Sequence, residues 1–128
     1  MSLLADCVLV ASLITAEARA HGVPPQLALA VAHSESRCVS SAVSSTGARG
    51  VFQVMPFWTR AFGGRLARHC GGTDLHQVAI NICFGVFILR HYVQQCGDWP
   101  CALRWYSGNT PGYVRIIQRR MVQQRTEE

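Results

Sequence analysis

Residues 22–55 read GVPPQLALAVAHSESRCVSSAVSSTGARGVFQVM, and this segment decides how the rest of the chain is interpreted. It opens with Pro24–Pro25, which suits the first turn of a helix because a proline amide needs no partner there. The apolar run that follows predicts a helix over residues 26–36 with Glu35 in its last turn. Residues 38–50 are rich in serine and glycine, which predicts a loop. The segment therefore predicts a helix that presents an acid to a polar loop.

The remaining sequence shows apolar residues mostly at helical spacing, and no stretch alternates as a strand would. Asp74 is expected to cap the longest helix, and the glycine pairs at 63–64 and 71–72 are expected to bound a loop. The fold class is mainly α, with the serine- and glycine-rich loop folded over one end. The further predicted helices cover about residues 3–20, 56–62, 74–95, 100–106 and 111 onward.

The composition fits one folded domain over residues 1–128. Hydrophobic residues make up 49% of the chain and charged residues 15%, which excludes disorder of the highly charged kind. The formal net charge is +5 and every basic residue is an arginine. The arginines are scattered except near the C-terminus, where they are typical of a solvated helix face. A nucleic-acid site would need a basic stripe, which the sequence lacks outside this tail, and an acidic polymer is an equally good partner.

Six cysteines in so short a chain indicate an oxidising compartment and disulfide bonds. Cys96 and Cys101 flank a short Gly-Asp-Trp-Pro segment and are predicted to pair with each other. A metal site is not expected, because the other possible ligands lack the paired spacing typical of zinc sites. Those ligands would be His69, Cys70, His76 and Cys83.

The N-terminal apolar run, residues 7–16, is interpreted as a buried helix of the domain. Residues 18–20 resemble a signal-peptidase site, but no positive residue precedes the run and Asp6 lies at its edge. The run is also shorter than the roughly 20 apolar residues that cross a membrane. We therefore expect no membrane span, and export by a route other than a conventional signal.

Glu35 is the candidate general acid. It is the one acidic residue that lies in an apolar helix beside a loop, where burial would raise its pKa towards neutrality. Read by itself, it could equally be a surface glutamate that closes a helix or pairs with Arg37. The complete set of acids is Asp6, Glu17, Glu35, Asp74, Asp98, Glu127 and Glu128.

Several motifs in order resemble the soluble lytic transglycosylase family of the lysozyme-like superfamily. A Gly-x-x-Pro start leads to a helix that ends in Glu-Ser, and a serine follows nine residues after the glutamate. Gly-Ala-x-Gly, a glutamine, Met-Pro and a later Ala-Leu-Arg-Trp-Tyr then follow. The resemblance covers about residues 9–118. Its elements here are Gly22, Pro25, Glu35–Ser36, Ser44, Gly47–Gly50, Gln53, Met55–Pro56, Asn81–Ile82, Gly85 and Ala102–Tyr106.

The resemblance implies a lysozyme-like fold and cleavage of the bond between N-acetylmuramic acid and N-acetylglucosamine. Glu35 would protonate the glycosidic oxygen and then, as carboxylate, take the proton of the muramoyl O6 hydroxyl. Hydrolases usually hold a second carboxylate across the bond. No further carboxylate lies between Glu35 and Asp74 in the sequence. A site with one carboxylate favours intramolecular attack by the muramoyl O6 and a 1,6-anhydro product, without any cofactor.

The resemblance also implies roles for residues around the acid. Ser44 would bind near Glu35 or the acetamido group, and Tyr106 would direct its hydroxyl at Glu35 to orient it. Ser107 stands where the family usually has asparagine, so Asn109 is a candidate to serve nearby. Each of these could instead be an ordinary loop or core residue. The full set of substrate-binding candidates is Ser44, Gln53, which would bind hydroxyls, Met55, which would pack on a sugar face, Tyr106 and Asn109.

The three tryptophans could line a sugar cleft, although at least two of Trp58, Trp99 and Trp105 are expected in the core. The alternatives to a lytic transglycosylase are a goose-type-like lysozyme that admits water and a non-catalytic peptidoglycan-binding assembly module. The expected location is the periplasm or cell envelope, reached by secretion or phage delivery. A secretion or conjugation apparatus, or a phage virion, would then be the larger partner.

Overall fold

The computed structural model describes residues 2–127, so Glu128, one of the acids counted above, lies outside the described residues. Helices account for most of this part of the chain, and only two isolated β-bridges, within residues 43–54, accompany them. The mainly α prediction is therefore confirmed. The helices are α1 (Leu3–Asp6), α2 (Ala11–Ala20), α3 (Pro25–Ser36), a 3₁₀ helix (Pro56–Gly64), α4 (Arg65–Cys70), α5 (Val78–Cys96), α6 (Trp99–Tyr106) and α7 (Tyr113–Glu127).

Helix α3 is the centre of the fold. All seven residues from Leu27 to His33 are buried, because α1, α2 and α7 pack against it. A helix that is apolar around its whole circumference has to be enclosed in this way. Helix α5 packs against α2, α4 and α6 and carries the second apolar surface. The helix predicted over residues 26–36 is confirmed, and its enclosure fixes the position of its last turn.

The prediction of one helix over residues 3–20 is wrong, because the chain turns between Asp6 and Ala11 and divides α1 from α2. Cys7 lies in this turn and forms a disulfide with Cys38, with a Cα–Cα separation of 5.2 Å. Val8 and Leu9 are exposed. An apolar run without glycine or proline gives no sign of such a break, since its exposed and buried residues are chemically alike. Cys7, Val10 and Ile14 of this run are nevertheless buried in the hydrophobic core.

Two boundaries around α5 also differ from the prediction. The expected loop over residues 63–72 contains α4, which Gly64 and Gly71 bound in left-handed conformations. Helix α5 is capped by the side chain of Gln77 instead of Asp74. The Asp74 carboxylate accepts a hydrogen bond from the His76 amide within the preceding turn. The glycines indicated where the chain turns but not the six-residue helix between them.

The described cysteines form three disulfides, including the predicted Cys96–Cys101 pair. Cys70 bonds to Cys83 and ties α4 to α5. Cys70 and Cys83, the two cysteines among the possible zinc ligands, are therefore joined to each other in a disulfide. Over residues 2–127, no helix combines the length and the apolar character that a membrane crossing needs.

Candidate active site

Glu35 lies one residue before the C-terminal end of α3. The helix stops there because Arg37 and Cys38 both adopt left-handed backbone angles, with φ of 55° and 64°. The Ser36 hydroxyl donates to the carbonyl of Val51 at 2.6 Å, so the end of the helix is joined directly to the returning loop. Glu35 is thus held by the helix behind it and by the loop in front of it.

The loop over residues 39–55 is fixed by one buried side chain from α5, Asn81. Its Oδ1 accepts a hydrogen bond from the Phe52 amide at 2.7 Å, and its Nδ2 donates to the carbonyls of Arg49 and Leu75. Gly50 passes so close that a side chain there would overlap Asn81, and its φ is +76°. The Asn81 side chain therefore holds the loop backbone in place through three hydrogen bonds.

Phe52 anchors the same loop in the core. Its side chain is fully buried and packs against Gly85 of α5, where an added Cβ would overlap the ring. The Tyr106 hydroxyl donates to the Phe52 carbonyl at 2.7 Å. The expectation that Tyr106 directs this hydroxyl at Glu35 is therefore wrong: its one donated proton holds the loop backbone.

The hydroxyl that contacts the Glu35 carboxylate belongs to Tyr113, the first residue of α7. It donates to Oε2 of Glu35 at 2.6 Å. Burial raises the pKa of Glu35, and the hydrogen bond from Tyr113 opposes this by stabilising the carboxylate. The pKa of Tyr113 is itself raised, first by burial and then by the charge of Glu35, so the phenol keeps its proton. Glu35 is therefore a carboxyl with a raised pKa and a hydrogen bond from Tyr113.

Glu35 opens into a cleft of about 660 Å³ with aromatic walls. Phe57 and Trp58 stack at a centroid distance of 5.2 Å, and Tyr92 meets Trp105 edge to face at 5.7 Å. Trp105 is 46% exposed. Exposed ring faces beside polar groups are typical of carbohydrate sites, since sugars present apolar faces between their hydroxyls.

The tryptophans divide between the cleft and the core. Trp99 packs against the core from α6, and Trp58 does so while also lining the cleft. The expectation that at least two tryptophans belong to the core instead of the cleft is therefore wrong: Trp58 and Trp105 both line the cleft, and Trp58 and Trp99 are only partly buried. Trp105 stands at the rim.

Four of the candidate substrate-binding residues line the cleft with Glu35: Ser44, Gln53, Met55 and Tyr106. Ser44 Oγ accepts from the Ala48 amide at 3.0 Å, and Gln53 donates twice through Nε2 to loop carbonyls. These contacts shape the loop and leave Gln53 Oε1 as the acceptor that a sugar hydroxyl could use. Asn109 is not part of this lining and lies in the adjoining groove with Arg104 and Thr110.

Among the described acids, only Glu35 lines the cleft. The other five have structural partners. Asp6 bonds to His33, Glu17 to His21, and Asp98 caps α6. Asp74 accepts from a turn amide, and Glu127 accepts from the Leu4 amide. Each of these carboxylates therefore stabilises local structure away from the acid.

Tyr113 is the functional residue that the sequence did not reveal. Its spacing to Val114, Ile117 and Met121 reads as the apolar face of an amphipathic helix, and Tyr113 is indeed buried. The sequence does indicate one thing about it, because a buried tyrosine needs a hydrogen-bond partner for its hydroxyl. The sequence does not say that the partner lies 78 residues earlier.

One carboxyl with a raised pKa lies at the end of a buried helix and faces an aromatic cleft, an arrangement that suits an enzyme acting on glycans. The chain belongs to the family described as "Transglycosylase SLT domain", whose model matches residues 12–121. A comparison with curated proteins gives no match. Members of this family act on peptidoglycan, so this chain is a peptidoglycan-acting, glycan-processing enzyme that works outside the cytoplasm.

Proposed function

We propose that this protein is a lytic transglycosylase that cleaves the β-1,4 bond between N-acetylmuramic acid and N-acetylglucosamine without water. The observation that carries the proposal is the single carboxyl in the cleft, Glu35, whose pKa burial raises. A hydrolase of this type would use a second carboxylate as nucleophile or as base for water. No other described acid lines this cleft.

The reaction needs one group that first gives and then takes a proton. Protonated Glu35 donates to the glycosidic oxygen, the bond from the muramoyl C1 to that oxygen breaks, and N-acetylglucosamine leaves with a free 4-hydroxyl. The muramoyl O6 attacks C1 and closes the 1,6-anhydro ring, and its proton passes to the Glu35 carboxylate. The acid is restored and no water is consumed.

Tyr113 is a positioning residue in this scheme. Its hydroxyl fixes Oε2, so the other carboxyl oxygen is the one presented to the substrate. It also stabilises the carboxylate that forms after the first proton transfer, where a charge-assisted bond is stronger than a neutral one. Because α3 and α7 pack directly together, the pair is held before substrate arrives.

The test is the Glu35→Gln variant on purified sacculi. The amide keeps the size of the side chain but transfers no proton, so turnover should fall at least about 10²- to 10⁴-fold. Glu17→Gln is the matched control, because Glu17 pairs with His21 away from the cleft. Wall clearing by folded Glu35→Gln at the rate of the control would refute the assignment.

The setting is part of the same proposal. Three disulfides suit a protein that works in an oxidising compartment. A secretion or conjugation apparatus that opens the wall locally, or a phage particle that crosses it, fits such an enzyme.

A further inference from the structure

A pocket that shares no residue with the cleft is formed by the end of the 3₁₀ helix, α4, α5 and His21 at the end of α2. It measures about 410 Å³, within the range of roughly 300–1,000 Å³ that ligand pockets occupy. The buried Leu66 lines it together with Phe62 and Phe87, whose rings meet edge to face at a centroid distance of 5.6 Å. The pocket therefore offers a recessed apolar surface apart from the candidate active site.

Phe62 carries two costs that folding alone does not explain. Its φ is 55° and its ψ is 38°, a left-handed conformation that is an outlier for a bulky side chain. The residue is also 43% exposed, although phenylalanine is among the residues most often buried. Glycine or asparagine would fit this backbone better and would leave no apolar ring in water. Strained residues cluster at functional sites, so an exposed phenylalanine held in this way indicates a surface that a ligand covers.

Two arginines border the same apolar surface. Arg65 and Arg90 line the pocket and are exposed, and none of the described acids lines it. Arg65 donates through Nε to the Phe62 carbonyl at 3.2 Å, which holds its guanidinium group beside the aromatic wall. Neither arginine forms an ion pair with a carboxylate among residues 2–127, where the ion pairs involve His21, His33 and Arg37. Both guanidinium charges are therefore available to a ligand.

We infer that this pocket docks a short acidic segment of a partner protein, with one apolar side chain of that segment seated against Phe62 and Phe87. Carboxylates on either side of the apolar residue bind the guanidinium groups of Arg65 and Arg90. A few anchor residues that fill a pocket carry most of the binding energy of an interface, and arginine recognises carboxylates through paired hydrogen bonds. The inference goes beyond the proposed function, because the pocket shares no residue with the cleft.

Shape and charge favour this occupant over three others. A membrane surface needs a protruding apolar face, whereas Leu66 in this recess is only 4% exposed. A second copy of the chain is a poor complement, because the described acids outside the cleft already bond to local partners. An acidic glycopolymer has the charge but no apolar side chain to place against the phenylalanines. An acidic peptide supplies both.

The test uses two synthetic peptides with blocked ends, Glu-Glu-Leu-Glu-Glu and Glu-Glu-Ser-Glu-Glu. Each is titrated into isotope-labelled protein, and binding is followed by NMR. The leucine peptide should bind saturably and shift the amide signals of residues 62–69 and 87–90, while the cleft loop over residues 39–55 stays unmoved. The serine peptide should bind at least about tenfold more weakly, because it lacks the apolar side chain that fills the pocket.

Variants separate the charge from the apolar surface. Arg90→Gln should weaken binding of the leucine peptide about tenfold, the factor that one charge-assisted hydrogen bond supplies. Arg125→Gln, which removes the same charge from an exposed position on α7, should leave the affinity unchanged. Phe62→Asn should also weaken binding about tenfold or more but should melt close to the wild-type temperature, because asparagine tolerates the left-handed backbone. Unchanged amide signals away from the pocket check the fold of each variant.

Three results would overturn the inference: no saturable binding of the leucine peptide, equal affinity for the serine peptide, or wild-type affinity in Arg90→Gln. If Phe62→Asn does not fold, Arg65→Gln is the second variant, with the same tenfold loss expected. A dimer that Arg90→Gln dissociates, measured by light scattering, would assign the pocket to a second copy. Binding to phosphatidylglycerol vesicles that Phe62→Asn abolishes would assign it to a lipid surface. Both outcomes would contradict docking of an acidic peptide.

Discussion

Replacing Tyr113 by phenylalanine separates the orientation of Glu35 from the packing of α7. The ring is 6% exposed and stays in place, while the hydroxyl that donates to Glu35 Oε2 at 2.6 Å is deleted. A hydrogen bond to a charged group contributes about 1.5–3 kcal/mol. If that stabilisation acts mainly on the carboxylate formed in the transition state, turnover should fall about 10- to 100-fold, at tenfold per 1.36 kcal/mol.

The pH profile of the same variant gives the sharper result. The bond from Tyr113 lowers the pKa of Glu35 against the larger effect of burial, so its loss must raise that pKa. Cleavage starts from the protonated acid, and the alkaline limb of kcat/KM should therefore move to higher pH.

The assay for Tyr113→Phe is turnover on solubilised glycan strands across pH, with thermal melting beside it. Tyr106→Phe is the matched control, because its hydroxyl holds a backbone carbonyl. A Tyr113→Phe protein with wild-type turnover and an unmoved alkaline limb would refute the role given to this residue.

Further predictions concern stability. Tyr106→Phe should cost about 1–3 kcal/mol, because it leaves the Phe52 carbonyl without its donor, and should not move the pH profile; urea unfolding and kinetics check both. Asn81→Asp should cost at least about 2 kcal/mol by urea unfolding, since two carbonyls lose the Nδ2 donor. Gly85→Ala should cost about 1–3 kcal/mol by overpacking against Phe52, measured in the same way. Glu35→Gln should be more stable than wild type at neutral pH. The raised pKa of Glu35 means that wild-type stability is complete below its ordinary value of 4.5 and declines as pH rises through the folded value; melting temperatures across pH should therefore converge in acid.

The helical elements were predictable because their apolar periodicity is local. Helix α3 is the clearest case, since Pro24–Pro25 marks its start and the serine-rich loop marks its end. The break between α1 and α2 was not predictable, because the Cys7–Cys38 disulfide and the exposure of Leu9 are tertiary facts. Local pattern sets element type, and distant contacts set the boundaries.

The acid was predictable, but its partner was not. Glu35 stands out from the sequence because it is an acid in an apolar helix. The hydroxyl that meets it could have come from any tyrosine brought near by folding, and the family pattern favoured Tyr106. The packing of α7 on α3 decides for Tyr113 instead. Asn109 lies in the turn before α7, with a φ of 63°, and lines the adjoining groove instead of the cleft itself, so its binding of substrate stays a prediction.

The most direct test of the central claim is the chemistry of the product ends. Purified sacculi are digested with wild-type protein in water enriched in heavy oxygen, and the fragments are analysed by mass spectrometry. If Glu35 acts alone and O6 is the nucleophile, the muramoyl ends are 1,6-anhydro and carry no label. Reducing ends that contain the heavy oxygen would show that water attacks C1, and would contradict the proposal of a one-carboxylate lytic transglycosylase.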